Sequence, residues 1–337
     1  MNTSMRYFTP ALVVLGFLLT LAPAVYATPY TYVTLDDPDP NIIETLPFGI
    51  NNSGQVSGYI NDAMGGTHGF IYNGGSWTTL DDPHTVSGNN TFATGIDDSK
   101  QVVGYFYDYA YTNSHGFIYN GSSWITLDDP NAALSYLSGT YGYGINNSGQ
   151  VVGYFRDATG GYHGFIYNGS SWITLDDPYT ASGNTFAVGI NDSGQVAGSF
   201  RDATGDHGFI YNGVNWITLD DPNALPGHTS VGGINNSGQL SGTFVDATGD
   251  HGFIYNGVNW ITLDDPNATP GNTGAYDIND SGQVAGLFRD PTTALYRGFV
   301  ASPASAIPEP STFAIFSLGL AGISFVRYRK SHREVTT

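Results

Sequence analysis

The sequence contains no cysteine and few basic residues. Its 337 residues include 29 acidic side chains and only 10 basic ones, which gives a net charge of −19. The absence of cysteine excludes disulfides, thiolate nucleophiles and cysteine-ligated metals. Because an acidic surface repels phosphate backbones and anionic lipid, the sequence predicts no nucleic-acid partner.

Glutamate and lysine are nearly missing from the central region. Between Gly49 and Ala301 there is one lysine, Lys100, and no glutamate. The motifs of serine hydrolases, zinc proteases and phosphate-binding loops do not occur. Catalysis needs unlike groups brought to one point, whereas this region repeats the same groups. We therefore expect no enzyme activity and no cofactor, with a secreted carbohydrate-active enzyme as the alternative.

Glycine, proline and aromatic residues are abundant, which favours turn-rich β structure. The segment Gly-Ile-Asn-Asn-Ser-Gly-Gln-Val-x-Gly recurs six times with small changes, and its isoleucines are spaced by 46, 49, 45, 44 and 44 residues. A second segment, His-Gly-Phe-Ile-Tyr-Asn-Gly, follows each of the first five copies, and a tryptophan and an Asp-Asp-Pro sequence come after it. The six isoleucines are Ile50, Ile96, Ile145, Ile190, Ile234 and Ile278.

Each repeat divides into four short apolar or alternating runs. In the third repeat these are Thr140 to Ile145, Gln150 to Phe155, His163 to Tyr167 and Ser171 to Leu175. The Asn-Ser-Gly and Asn-Gly sequences between them predict antiparallel hairpins. Four strands in about 45 residues are typical of one propeller blade. The predicted fold class is therefore all-β, a six-bladed β-propeller of four-stranded blades.

The two ends of the repeat array are incomplete in a complementary way. The sixth repeat stops at 297–301, without the strand that carries Thr-Leu-Asp-Asp-Pro, and that strand stands at 32–38. Pairing of the two ends would cover two exposed sheet edges. We expect the N-terminal strand to close the ring, with an open β-solenoid or a stacked sandwich as the alternative.

The termini have the character of targeting signals. Residues 1–27 combine a basic residue, an apolar run and small residues before a cleavage point, as in a signal peptide. Residues 28–305 form the predicted propeller, and residues 306–337 contain Pro308-Glu309-Pro310, an apolar stretch and a basic cluster. This last order resembles the PEP-CTERM sorting tail. The resemblance implies an exosortase-type protease as a partner, contact with the membrane only through the tail before processing, and a final place at the cell surface or outside the cell.

The repeats themselves resemble the HAF family of extracellular repeats. The resemblance covers Gly49 to Ala301, with His-Gly-Phe in place of the family's His-Ala-Phe. It implies an extracellular location and this type of repeat, and it implies no chemistry.

The predicted topology separates two faces of the disc. The Asp-Asp-Pro links and the loops with Asp157, Asp202, Asp246 and Asp290 should share one acidic face, while the Asn-Ser-Gly and Asn-Gly turns form an uncharged face. We expect the aspartates to cap turns, with calcium binding as the alternative. The five recurring histidines are too far apart to bind one metal, so we expect each to bond to a nearby aspartate. These histidines are His68, His115, His163, His207 and His251.

The second repeat departs most from the pattern. Its loops carry Tyr107, Tyr109 and Tyr111, and the following link carries Tyr136. Exposed tyrosines can stack on sugar rings, so these four are possible glycan contacts. The alternative is that they pack within their own loops. The sequence as a whole predicts an exported, non-enzymatic surface or matrix module associated with exopolysaccharide.

Overall fold

The computed structural model describes residues 30–85, 90–108, 113–133, 138–180 and 183–304. Within these ranges all regular structure is β-strand, so the all-β prediction is confirmed. No helix in the described part of the chain is long and apolar enough to cross a membrane. The predicted signal peptide and sorting tail lie outside the described residues.

Twenty-four strands in the described residues form six groups, called units 1 to 6 here, in which consecutive strands pair antiparallel. The N-terminal strand is β1 (Tyr30–Leu35). Unit 1 contains β2 (Ile42–Ile50), β3 (Val56–Asp62), β4 (Thr67–Asn73) and β5 (Ser76–Leu80). Unit 2 contains β6 (Thr91–Ile96), β7 (Val102–Tyr107), β8 (Asn113–Tyr119) and β9 (Trp124–Leu127). Unit 3 contains β10 (Ser138–Ile145), β11 (Val151–Arg156), β12 (Tyr162–Tyr167) and β13 (Trp172–Leu175).

Unit 4 contains β14 (Thr185–Ile190), β15 (Val196–Arg201), β16 (Asp206–Tyr211) and β17 (Trp216–Leu219). Unit 5 contains β18 (Thr229–Ile234), β19 (Leu240–Asp246), β20 (Gly249–Tyr255) and β21 (Trp260–Leu263). Unit 6 contains β22 (Thr273–Ile278), β23 (Val284–Arg289) and β24 (Tyr296–Pro303). A short parallel contact between β8 and β10 joins units 2 and 3 into one eight-stranded sheet.

The fourth strand of unit 6 comes from the other end of the chain. Strand β1 pairs antiparallel with β24, with Val33 opposite Val300 and Leu35 opposite Gly298. Beside this pairing, Arg297 forms ion pairs with Asp36 and with Asp290. The strand pairing expected from the two incomplete repeats is therefore present.

The hydrophobic core lies between units rather than inside them. One cluster joins Val103 and Leu127 of unit 2 to Val151 and Phe165 of unit 3. The cluster between units 6 and 1 is built in the same way, since Leu35 and Ala285 pack with residues of unit 1. The phenylalanine of each His-Gly-Phe or Arg-Gly-Phe segment is almost fully buried. These are Phe70, Phe117, Phe165, Phe209, Phe253 and Phe299.

The hairpin between the first two strands of each unit requires a left-handed residue. Glycine fills this position in five units, as at Gly149 with φ +77°. In unit 2 the residue is Lys100, which adopts φ +68° without the freedom of a glycine. The backbone geometry of the repeat thus prevails over the local preference of lysine.

Candidate functional site

The first strand of every unit lines a shared central channel. One cavity of this channel has a volume of about 390 Å³ and is lined by residues of all six units. A second cavity of about 470 Å³ shares Phe48, Ser230, Thr243 and Tyr276 with the first. The channel is therefore the place where the six units can act on one ligand.

One end of the channel is narrowed by a ring in which asparagine and aspartate alternate. Asn52 Nδ2 donates to Asp98 Oδ2 at 3.0 Å and to Asp280 Oδ2 at 2.9 Å. The backbone N–H of Asp280 donates to Asn52 Oδ1 at 2.8 Å, which links unit 6 to unit 1. This Asn–Asp ring consists of Asn52, Asp98, Asn147, Asp192, Asn236 and Asp280.

The alternation has a simple electrostatic reason. Each carboxylate lies between two carboxamides that donate hydrogen bonds, so no two aspartates of the ring are neighbours. Hydrogen bonds from Asn147 and Asn236 hold the pKa of Asp192 below its usual range, although partial burial opposes this shift. The expectation that the Asn-Ser-Gly face is uncharged is wrong, because three of the six ring positions carry aspartate.

Next to the ring, aromatic side chains form part of the channel wall. Eight rings form a continuous series of contacts from unit 6 through units 1, 2 and 3 to unit 4, with successive centroids 4.6 to 5.2 Å apart. We call this series the aromatic arc. It consists of Tyr276, Phe48, Tyr59, Phe92, Tyr105, Tyr141, Tyr154 and Phe186.

The arc stops where units 4 to 6 replace its aromatic residues by small ones. In the second strand, Tyr59, Tyr105 and Tyr154 of units 1 to 3 correspond to Ser199, Thr243 and Leu287 of units 4 to 6. In the first strand, Ser230 and Gly274 stand where unit 4 has Phe186. The space left by these residues is called the recess, and it belongs to both cavities. The recess is lined by Ser199, Ser230, Gly232, Thr243 and Gly274.

Asp277 stands between the recess and the Asn–Asp ring, at a position that is glycine in the other five units. Its Oδ2 accepts from the backbone N–H of Ile50 and its Oδ1 from that of Ile278, both at 2.9 Å. Burial raises the pKa of Asp277 to about 7, while the two N–H donors act in the opposite direction. The side chain is surrounded by protein yet partly open to the channel, so it places a carboxyl group at the channel wall.

The opposite end of each unit carries the predicted histidine–aspartate pairs. In all five cases Nδ1 of the histidine lies 2.6 to 2.8 Å from an oxygen of the first aspartate of Asp-Asp-Pro, which confirms the expected bond. The bond to Asp128 raises the pKa of His115. In four units Nε2 also faces an aspartate of the loop between the second and third strands, within 3.6 Å. These contacts bring the links and the loops together on one acidic face, as the topology predicts.

In units 1 to 5 the second aspartate of Asp-Asp-Pro caps a turn and is buried. Asp129 Oδ1, for example, accepts from the backbone N–H of Asn131 at 2.8 Å, and burial raises the pKa of Asp129. The other oxygen has no hydrogen-bond partner among the described residues. In the same part of the chain no group of three or more histidine, aspartate or glutamate side chains could hold a metal ion. The turn-capping role is confirmed, and calcium binding stays an untested alternative.

The structure describes one of the four predicted glycan-contact tyrosines. Tyr107 is half-buried and packs edge-on against Phe92 and Tyr105, next to the aromatic arc. Tyr109, Tyr111 and Tyr136 lie outside the described residues. The sorting residues Pro308, Glu309 and Pro310 lie outside them as well. The glycan contact of these tyrosines therefore stays a prediction.

Sequence reasoning missed the channel, although its signals were present. The second residue of Asn-Asn-Ser-Gly changes strictly between asparagine and aspartate along the six repeats, and the tyrosine after Val-x-Gly is lost in the last three. Both patterns acquire a meaning only when the first and last units are neighbours.

Residues 306–330 match the model of the PEP-CTERM protein-sorting motif. The motif implies export, recognition by an exosortase-type processing enzyme and placement at the surface or outside the cell. The match lies wholly in the tail, so it does not support the HAF resemblance of the repeats. No curated protein matches the chain in sequence.

Several solved structures resemble the chain in fold. AofleA from Arthrobotrys oligospora has a TM-score of 0.50 at 12% identity, over 80% of this chain and 86% of that one. An Aleuria aurantia lectin mutant in complex with Fucα1-6GlcNAc has a TM-score of 0.49 at 14% identity, over 77% of this chain and 93% of the lectin. Another structure of that lectin is described as a six-bladed β-propeller with a novel fucose recognition mode. Its TM-score is 0.47 at 13% identity, over 77% of this chain and 93% of the lectin. At these identities the likeness concerns the fold alone, that of β-propellers.

Proposed function

We propose that the chain is an exported, non-enzymatic β-propeller that binds carbohydrate at the cell surface or in the extracellular matrix. The observation that carries the proposal is the recess in the central channel. It combines aromatic faces with hydroxyl groups, and these are the groups with which proteins stack on sugar rings and bond their hydroxyls. The sorting motif adds the location, since polysaccharide outside the cell is a ligand that such a protein meets.

The proposed architecture is a ring of six blades closed by the N-terminal strand. Two contacts support it: the antiparallel register between β1 and β24 and the hydrogen bond from Asp280 to Asn52. An alternating ring of two residue types closes without a mismatch only when the number of units is even. Six units satisfy this condition.

Binding without catalysis is supported by the repetition of the titratable groups. The histidine–aspartate pairs are the same in five units, and each pair is occupied in holding its own loop. A hydrolase needs an acid and a base that differ in their surroundings. No such unlike pair is part of the repeat.

A glycan array with the purified full-length chain tests the binding function. We expect saturable retention by a subset of glycans and, in parallel incubations with exopolysaccharides, no rise in reducing ends. Retention by none of the glycans would contradict the binding proposal, and accumulating reducing ends would favour the carbohydrate-active enzyme instead. Loss of surface or extracellular placement after deletion of Pro308-Glu309-Pro310 tests the sorting, and an unchanged distribution would contradict it.

A further inference from the structure

We propose that the recess of the central channel binds a sugar residue that carries a free ammonium group, with Asp277 as the counter-charge. The inference rests on the carbohydrate-binding function proposed above and names the substrate class and the site. It starts from the asymmetry of the channel. Six copies of one unit produce an open recess only on the side of units 4 to 6.

The recess lies beside positions of the second strand at which units 1 to 3 carry a tyrosine. These tyrosines show which side chain could fill the space. Tyr154 lines the central cavity from the second strand of unit 3, and Tyr105, at the same position of unit 2, belongs to the aromatic arc. Thr243 stands at the same position of unit 5. Because the two equivalent tyrosines pack without disturbing their strands, the recess is an omission of side chains rather than a defect of the fold.

The walls of the recess suit a pyranose ring. Tyr276 packs on Phe48 with centroids 4.6 Å apart, and this pair forms the aromatic edge of the recess. The hydroxyl side chains of Ser230 and Thr243 line the same two cavities, and neither forms a hydrogen bond to a residue in the described part of the chain. Aromatic rings beside unbonded hydroxyls offer stacking to the carbon skeleton and hydrogen bonds to the polar edge of a sugar.

The charge of the channel selects among sugars. Arg201 Nε is paired with Asp206 Oδ1 at 2.6 Å, so that the one guanidinium at the recess is already neutralised. Asp277 and Asp250 also stand at the cavity walls, and neither forms an ion pair with a described residue. Each oxygen of Asp277 uses one lone pair for a backbone N–H and keeps the other. A buried carboxylate gains from a cationic partner, and an acidic sugar would be repelled. The neighbouring aromatic rings also attract an ammonium group.

Calorimetric titration of the full-length chain with a glucosamine trimer and with an N-acetylglucosamine trimer separates the parts of this inference. The two probes differ in the ammonium group, which acetylation removes. We expect the glucosamine trimer to bind and the acetylated trimer to bind at least about tenfold more weakly. This corresponds to about 1.4 kcal/mol for the contact with Asp277.

Three variants locate the site. Thr243→Tyr copies the side chain of units 2 and 3 into the recess and should abolish binding of both trimers. Asp277→Asn should bring the two affinities to within about twofold of each other. Val258→Tyr adds the same tyrosine at an exposed turn and should bind like the parent chain. Melting temperatures establish that each variant is folded.

Equal affinity of the parent chain for the two trimers, or full binding by a folded Thr243→Tyr, would overturn the inference. If Asp277→Asn does not fold, Thr243→Tyr and the comparison of the two trimers still decide it. Retention of other glycans on the array without binding of glucosamine would refute this site while the carbohydrate-binding function stands. Loss of all glycan binding would refute both.

Discussion

Replacing Asp277 by glycine, the residue of the other five units, should change how stability depends on pH. The carboxyl group of Asp277 has a pKa raised to about 7 by burial, against an ordinary value of 3.8. Between these values the folded protein holds a proton that the unfolded chain has released. The free energy of unfolding therefore falls as pH rises from 3.8 to 7, and the full loss is reached above pH 7.

The magnitude follows from the size of the shift. A rise from 3.8 to about 7 is roughly 3 pKa units, or about 4 kcal/mol at 1.36 kcal/mol per unit. This is an upper limit, because the side chain is partly open to the channel and two N–H groups stabilise its charge. Up to about 3 kcal/mol of this loss in unfolding free energy falls between pH 5 and pH 7. At pH 5 the cost of Asp277 is already about 1–2 kcal/mol, and the variant loses two hydrogen bonds and gains backbone freedom at a similar cost of about 1–3 kcal/mol, so the two proteins should be about equally stable there.

Urea unfolding followed by tryptophan fluorescence from pH 5 to pH 9 measures the difference while keeping above the isoelectric point near 4.3. We expect the free energy of unfolding of Asp277→Gly, relative to that of the parent chain, to increase as pH rises to 7 and to stay constant above pH 7. Asp277→Asn is the matched control, because it also removes the titration but keeps the side chain. A difference that does not depend on pH in either variant would refute the reasoning.

Three further changes test the ring and its seam. Arg297→Ala should lower the free energy of unfolding by about 1 kcal/mol, because it removes the partly exposed ion pair with Asp36. Arg297→His, which introduces the residue of the other units, should keep part of this stability. An unchanged melting temperature for the alanine variant would contradict the prediction. Asn52→Asp should lower the free energy of unfolding by about 1–3 kcal/mol, because it puts three carboxylates side by side in the Asn–Asp ring. Adding 1 M NaCl should restore part of this loss. The same loss in melting temperature with and without the salt would count against a charge effect. Lys100→Gly should raise the free energy of unfolding by about 1 kcal/mol by relieving a left-handed lysine, and Lys100→Ala, which keeps the strain, should show no such gain.

Much of the fold follows from local patterns. In unit 3 the predicted runs become β10 to β13 with boundaries shifted by two residues at most, because turn residues and alternation act over a few neighbouring positions. The partner of the N-terminal strand could also be inferred, since Leu35 and its neighbours complete a pattern that the last repeat lacks. The bonds of the histidines to aspartate followed in the same way from a spacing repeated five times.

The amino-acid sequence by itself determined the repeat, its strands, the charge of the chain and the sorting motif of the tail, because each is written in residues that are close in the chain. Only the tertiary structure decided the channel. Asn52 and Asp280 are more than two hundred residues apart, and their contact depends on every unit between them turning by a similar angle. The recess, the aromatic arc and the raised pKa of Asp277 arise in the same way, because side chains from strands of several units meet there and their volumes and charges add up.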